Sequence, residues 1–340
     1  MRKNKSNNKK KILLIIVVLV LIIYITIATY RGARAIQRFE KTEEPAVTII
    51  DIPEVQFAAV DIEAKSAIVY DINSHEPIFT KNENEIRPLA SITKIMTIFA
   101  AVKLLVSTPT ISISPFAYST YGEYGIFPNE IWERKDLQDY TLIVSSNDGA
   151  VALAETAGEL LTQNTEPSQK VSAFVTYMND LAKKVGLTST TFQNPSGLDT
   201  EDTSPQSQAY GSAADIAKLL SYIIINEPNV LDSSSHTQGI FTAGGKKYTA
   251  NNTNEIVGRI PGLIASKTGY TDAAGGNLAV VYDSGLNRPI TIVILGSTRE
   301  GRFTDMLRLI EHTQEYFRKK SEVQETINNI SQNKVENVQE

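Results

Sequence analysis

Three groups of residues stand in one order along this 340-residue chain with the types and spacing needed for acyl transfer. Ser91-Ile92-Thr93-Lys94 sets a hydroxyl and an amine three residues apart. Ser145-Ser146-Asn147 offers a second hydroxyl and an amide. Lys267-Thr268-Gly269 adds a cation, a hydroxyl and a residue without a side chain. At the start of a helix, Ser91 and Lys94 share one face. The helix beyond them is largely apolar, so Lys94 loses hydration on folding. Desolvation lowers a lysine pKa, and a neutral amine can take the proton of Ser91 as it attacks an amide. Ser145 can relay a proton to the leaving amine while Asn147 holds the substrate backbone. Lys267 and Thr268 can bind a carboxylate, and Gly269 lets a substrate lie against its strand as an added one.

Each group also has an ordinary reading. Lys94 could snorkel to water beside an N-cap serine, and Ser145 or Asn147 could simply cap a helix. Ser-x-x-Lys and Ser-x-Asn each arise about once by accident in a chain this long. Both do so here, as Ser6-Asn7-Asn8-Lys9 and Ser331-Gln332-Asn333 in polar end segments. Order and context therefore carry the weight, and a Lys-Thr-Gly on a strand in the right place leaves the ordinary readings with too much to explain.

Composition narrows the classes. A formal net charge of -5 argues against a nucleic-acid partner. The chain has no cysteine, which removes disulfides, thiol catalysis and cysteine-bound zinc. Its histidines, His75, His236 and His312, have no metal-ligand spacing, so no metal is expected. The N-terminus is basic (Arg2, Lys3, Lys5, Lys9, Lys10, Lys11) and leads into an apolar run from Ile12 to Tyr30. That run has the length of a membrane-spanning helix, and the basic residues before it put the N-terminus in the cytoplasm and the rest of the chain outside the cell membrane. A cleaved signal peptide has a shorter apolar core.

The expected organisation is a cytoplasmic tail over 1–11, a transmembrane anchor over 12–30, a stalk over 31–54, a catalytic domain over 55–318 and a disordered polar tail over 319–340. Gln56–Ile62 and Ser66–Ile72 read as a hairpin around Glu63-Ala64-Lys65. Helices are expected over about Ser91–Val106, Leu137–Val144, Asp148–Leu161, Val171–Val185 ending at Gly186, and from the cap Ser212 to Ile225. Strands return at Ile264–Thr268, Gly276–Tyr282 and Pro289–Leu295, and a helix closes over Thr304–Phe317. Strands joined by short turns pair antiparallel. An α/β protein of α+β type follows, with a mostly antiparallel sheet flanked by helices and a helical middle.

The motifs and their surroundings resemble the serine D-alanyl-D-alanine carboxypeptidases among the low-molecular-mass penicillin-binding proteins. The likeness runs from about Val55 to Phe317 through Pro88–Thr97, Ser145–Glu155, Asn194-Pro195-Ser196-Gly197-Leu198-Asp199, Asn252-Thr253-Asn254 and Lys267–Gly275. It implies a β-lactamase/penicillin-binding-protein-like fold and removal of the terminal D-alanine from peptidoglycan stem peptides. It also implies covalent inhibition by β-lactams and no cofactor. By the same resemblance, Ser91 is the acylated nucleophile, Lys94 its general base, Ser145 a proton-transfer residue and Lys267 a substrate ligand. The oxyanion hole would be the backbone N–H groups of Ser91 and Tyr270. Arg302 would take the terminal carboxylate, a role that the nearby Arg299 could share. Position 196 is Ser where many relatives have His. Rival readings are a D,D-endopeptidase cutting cross-links, a serine β-lactamase with Glu166 activating water, and a non-catalytic peptidoglycan-binding protein.

Overall fold

The computed structural model describes residues 4–39, 54–120, 122, 125–200 and 206–339. The chain divides into two units, Met1–Glu54 and Val55–Glu340. In the first, helix α1 (Asn4–Phe39) contains a 24-residue stretch, Lys11–Arg34, long and apolar enough by length and composition to cross a membrane. The hydroxyls of Thr26 and Thr29 donate to the carbonyls of Ile22 and Ile25, each at 3.0 Å, so neither polar group is left bare on the apolar helix. The expected stalk begins as helix through Phe39, and its remainder, residues 40–53, lies outside the described residues.

The second unit begins with strands β1 (Ser66–Asp71), β2 (Glu76–Lys81) and β3 (Arg87–Pro88). A 3₁₀ turn, Ala90–Ile92, then opens into α2 (Thr93–Leu104). Next come β4 (Thr110–Ser112), α3 (Pro115–Tyr118), β5 (Ile131–Glu133), α4 (Arg134–Val144), α5 (Asn147–Glu159) and α6 (Pro167–Val185). After β6 (Thr191–Phe192), β7 (Ala209–Gly211) and α7 (Ala213–Asn226) comes the hairpin β8 (Gln238–Ala243) and β9 (Lys246–Asn251). Three long strands follow, β10 (Leu263–Thr271), β11 (Gly275–Asp283) and β12 (Pro289–Ser297), and α8 (Gly301–Gln339) ends the chain.

The main sheet has the order β10-β11-β12-β1-β2, with every pairing antiparallel. Alternation along its strands builds two cores. Leu278, Val280, Tyr282, Ile290, Ile292 and Ile294 pack on one face with Met306, Leu309 and Ile310 of α8. Ala279, Val281, Val293 and Leu295 face the other way, toward α2 and the helices around it. Helix α2 is buried nearly all round, which explains its lack of a polar stripe. The edge strand β2 accommodates Pro77 because a sheet edge needs no donor there.

Two expectations are corrected. Gln56–Ile62 forms no strand, and the opening hairpin pairs β1 with β2 instead. Both edges of β1 are taken, by β12 and β2. Phe57 and Val60 pack beside the α8 core, while the N–H groups of Glu63 and Ala64 donate to the carboxylate of Asp305 at 3.0 and 2.8 Å. The alternating pattern was real, but a helix answers it. The polar C-terminal segment is helical to Gln339, not irregular. It contains no Gly or Pro, and Arg318 pairs with Glu315 and Glu322 along the helix. The β8–β9 hairpin was not anticipated, although its turn, Gly244-Gly245 with φ of 56° and 78°, is a recognised hairpin signal.

Asp305 is fully buried and also accepts from Ser297 Oγ at 2.8 Å. Asp305→Ala leaves three donors unanswered and should cost about 2–4 kcal/mol of stability. Urea unfolding measures it, and a loss below about 1 kcal/mol would show that water replaces the carboxylate easily.

Candidate active site

Ser91, the expected nucleophile, sits on a turn clamped from several sides. Pro88 pairs with Tyr210 of β7, and Leu89 N–H donates to Ala209 O at 2.9 Å. The Asn277 side chain, fully buried in β11, donates to Pro88 O and Leu89 O, each at 3.0 Å, and accepts from Gly296 N at 2.8 Å. Ala90 has φ +48°, a left-handed conformation costly for a residue with a Cβ. Two glycines permit the close approach around it. A Cβ on Gly197 would come within 1.9 Å of Ala90 O. One on Gly269 would lie 2.9 Å from Leu89 O and 3.2 Å from the backbone nitrogens of Ser91 and Ile92. Gly269 therefore serves the packing of β10 against the Ser91 turn, a reason additional to the substrate access expected from the sequence.

Lys94 is fully buried. Its Nζ lies 2.8 Å from Ser91 Oγ, 2.7 Å from Asn147 Oδ1 and 2.8 Å from Ser196 O. Burial holds its pKa well below the ordinary lysine value, the charge of Lys267 pushes the same way, and the charge of Asp148 opposes both. As a neutral amine, Lys94 gives its two N–H groups to Asn147 Oδ1 and Ser196 O, which can only accept. Its lone pair is then left for the Ser91 hydroxyl. Asn147 thus orients Lys94 as well as standing where a substrate backbone was expected. The loop that supplies Ser196 O is held by Asn194 Oδ1, which accepts from Ser196 N at 3.1 Å and Gly197 N at 2.6 Å. Because position 196 acts through its carbonyl, a Ser side chain there is no obstacle.

Ser145 ends α4 with φ +66°, and the cap of α5 is its neighbour Ser146, whose Oγ accepts from Gly149 N at 2.9 Å. Capping therefore does not explain Ser145. Its Oγ accepts instead from Lys267 Nζ at 2.9 Å, and Lys267 also donates to Thr268 O at 2.9 Å. Burial, and then the charge of Arg302, lower the Lys267 pKa to about 7. Thr268 Oγ1 lies 2.6 Å from Thr253 Oγ1, so the Asn252-Thr253-Asn254 segment braces the Lys-Thr-Gly strand. Arg302, also buried, donates from Nη1 to Gly269 O at 3.0 Å. Tyr270 is 41% exposed at the end of the same strand.

The three groups thus converge. Ser91, Lys94 and Asn147 form one bonded set, Ser145 and Lys267 a second, and Gly269 seats β10 against Ser91. The sequence reading missed Asn277, and it named the segments of Thr253 and Ser196 without giving either residue a role. Asn277 had a visible signal, a lone amide within an apolar strand, since a buried amide needs partners. Glu166 is exposed at the start of α6, with its N–H bonded to Asn164 Oδ1 at 2.9 Å, a position unsuited to activating water in a closed site.

The family model described as D-alanyl-D-alanine carboxypeptidase, peptidase S11, matches residues 53–298. The D-alanyl-D-alanine carboxypeptidase DacF of Bacillus subtilis is 29% identical over 255 residues, 73% of this chain and 61% of that protein. The chain therefore spans less than two thirds of that relative. A D-alanyl-D-alanine endopeptidase of Escherichia coli is 29% identical over 260 residues, 73% of this chain and 76% of that one. Among solved structures, penicillin-binding protein D2 of Listeria monocytogenes in its cefotaxime-bound form has a TM-score of 0.62 at 28% identity, covering 75% of this chain and 98% of the other. The fold is that of penicillin-binding proteins, and the chain belongs to the D-alanyl-D-alanine carboxypeptidase (S11 peptidase) family.

Proposed function

We propose that the protein is a membrane-anchored serine D-alanyl-D-alanine carboxypeptidase that removes the terminal D-alanine of peptidoglycan stem peptides. The observation that carries this reading is the arrangement at Lys94, a buried amine whose two acceptors leave its lone pair for Ser91. Ser91 Oγ attacks the carbonyl of the penultimate D-alanine and Lys94 takes its proton. The N–H groups of Ser91 and Tyr270 receive the developing oxyanion, a type of contact worth roughly 3 kcal/mol per donor. Ser145, bonded to Lys267, passes a proton to the departing amine. Lys267, Thr268 and Arg302 attract the terminal carboxylate, while Asn147 and the edge of β10 hold the chain. Water then releases the acyl group from Ser91.

A β-lactam acylates Ser91 by the same attack. The Listeria relative, solved with ampicillin and with cefotaxime, supports this. Helix α1 anchors the protein, and its basic N-terminal residues favour a cytoplasmic tail with the catalytic unit outside. The second reading, cleavage of cross-links, is favoured by the endopeptidase relative. Incubation with a pentapeptide and with a cross-linked dimer separates the two. Free D-alanine from the pentapeptide is expected, and monomer release without D-alanine would establish the endopeptidase.

Ser91→Ala should abolish both D-alanine release and covalent labelling by a fluorescent penicillin, and labelling that survives would remove Ser91 from the role. For Lys94, acylation should rise with pH through its lowered pKa, because only the neutral amine accepts a proton. Lys94→Arg keeps a cation that cannot deprotonate and should lower acylation by at least about 10². A variant with wild-type rate and pH profile would exclude Lys94 as base.

Lys267 also makes a stability prediction. Its pKa is 10.5 unfolded and about 7 folded, so the unfolded chain binds more protons between those values and stability rises with pH across that window. Below pH 7 the native state bears the full cost, on the order of 5 kcal/mol. Lys267→Met, despite losing hydrogen bonds to Ser145 and Thr268, should raise Tm by a few degrees at pH 6 and by less at pH 9. A lower Tm at pH 6 would show that the bonds outweigh the burial.

A further inference from the structure

Asn277 stands in β11 at an irregularity built around it. On the β10 side it pairs in register with Gly269. On the β12 side the ladder skips it: Gly276 pairs with Ser297 and Leu278 with Ile294, so Asn277 faces two residues, Leu295 and Gly296. This is a β-bulge, a device that re-aims a side chain. Gly296 takes up the extra length with φ +69°, and its N–H donates to Asn277 Oδ1 at 2.8 Å. The Asn277 side chain is fully buried, and its two N–H groups go to Pro88 O and Leu89 O, each at 3.0 Å. Both donors are used and the oxygen is answered, so the amide has one workable direction. Turned over, it would set its oxygen against two carbonyls.

The bonds matter because of what they join. Pro88 and Leu89 are otherwise held by β7, which belongs to the small sheet β3-β7-β6 and not to the main sheet. Among the described residues, the hydrogen bonds that reach Pro88–Ile92 from the main sheet are the two from Asn277. Ser91 N lies on that segment, whereas Tyr270 N lies on β10, next to Gly269. The two N–H groups assigned to the oxyanion therefore sit on opposite sides of a seam, and the seam sets their separation. Residues opposite each other in a ladder share a face, so bare Gly269 leaves open the side from which the Asn277 amide reaches the turn. Gly269 is the stop, since a Cβ there would lie 2.9 Å from Leu89 O and 3.2 Å from Ser91 N. Asn277 is the tie.

We propose that Asn277 is a positioning residue: backed by the Gly296 bulge, it fixes the spacing between the N–H groups of Ser91 and Tyr270 and thereby the stabilisation of the oxyanion, without touching substrate. The inference rests on the acyl-transfer reading of Ser91 and deepens it. Oxyanion donors act only when they lie at the right distance from the place the oxygen will occupy, and losing one costs about 10²–10³ in kcat.

The test uses the full chain in detergent and benzylpenicillin isotopically labelled at its β-lactam carbonyl. Asn277→Asp keeps the shape, but it donates nothing when ionised and at most one of the two bonds when protonated. The acylation rate constant at saturating penicillin should fall about 10–100-fold, while the concentration giving half that rate changes little. In the infrared spectrum of the acyl-enzyme, the ester carbonyl band should move to higher frequency, because hydrogen bonds from the two N–H groups lower it. A merely structural role would reduce Tm and the fraction of protein that labels while leaving rate constant and band at their wild-type values, and that result would overturn the proposal. Gly296→Ala loads the bulge from the other side, with φ +69° and a Cβ 3.2 Å from Lys65 Cγ, and should produce the same two changes at smaller size. Should Asn277→Asp fail to fold, Gly296→Ala decides by the same readouts, and a wild-type rate and band there would remove the role. Wild-type protein that forms no acyl-enzyme would overturn the acyl-transfer reading, and this inference with it.

Discussion

The structure depends on keeping one amine dry. Lys94 lies at the centre of the helical part, where a charged ammonium is disfavoured, and three oxygens are brought to it from separate elements. Ser91 comes from the 3₁₀ turn, Asn147 from the first turn of α5 and Ser196 O from the loop before β7. Remove any of these and the amine regains freedom or loses its direction. Burial alone would make a lysine neutral; the two pure acceptors also aim its lone pair.

Keeping that geometry requires backbone conformations that would be unfavourable elsewhere. Ala90 and Ser145, the residues at the two breaks that carry the hydroxyls, both have positive φ. They persist because the surroundings over-determine them. Asn277 ties the Ser91 turn to two strands at once, and Gly197 and Gly269 let the backbone approach where a methyl group would collide. The sheet supplies the rigid side of the site, and α2 and α5 supply the other.

Electrostatics then divide the labour between two buried lysines. Lys94 is held low by burial and by the charge of Lys267, which suits a base, while Lys267 faces Ser145 and the cationic end of β10. Like charges gathered in one place cost the folded state, a cost that Asp148 offsets at Lys94 and that Glu300 and Glu255 offset at Arg302.

Much of this was legible in the residues. The three motifs, the order of the long elements and the apolar stretch at Lys11–Arg34 depend on local spacing and hydrophobic periodicity, which a sequence displays directly. The antiparallel character of β10–β12 followed from turns too short for a crossover. What the sequence could not settle was partner choice. The Gln56–Ile62 run alternates like a strand, yet Phe57 and Val60 pack beside the α8 core, and the N–H groups of Glu63 and Ala64 just after it are answered by Asp305, about 240 residues away. Position 196 looked like a question about a side chain and proved to be one about a carbonyl. Chain chemistry determined which groups were available. Only the tertiary structure decided which oxygens meet Lys94 and why Gly269 must be bare, because hydrogen-bond direction and close packing between distant segments leave no periodic trace in the chain.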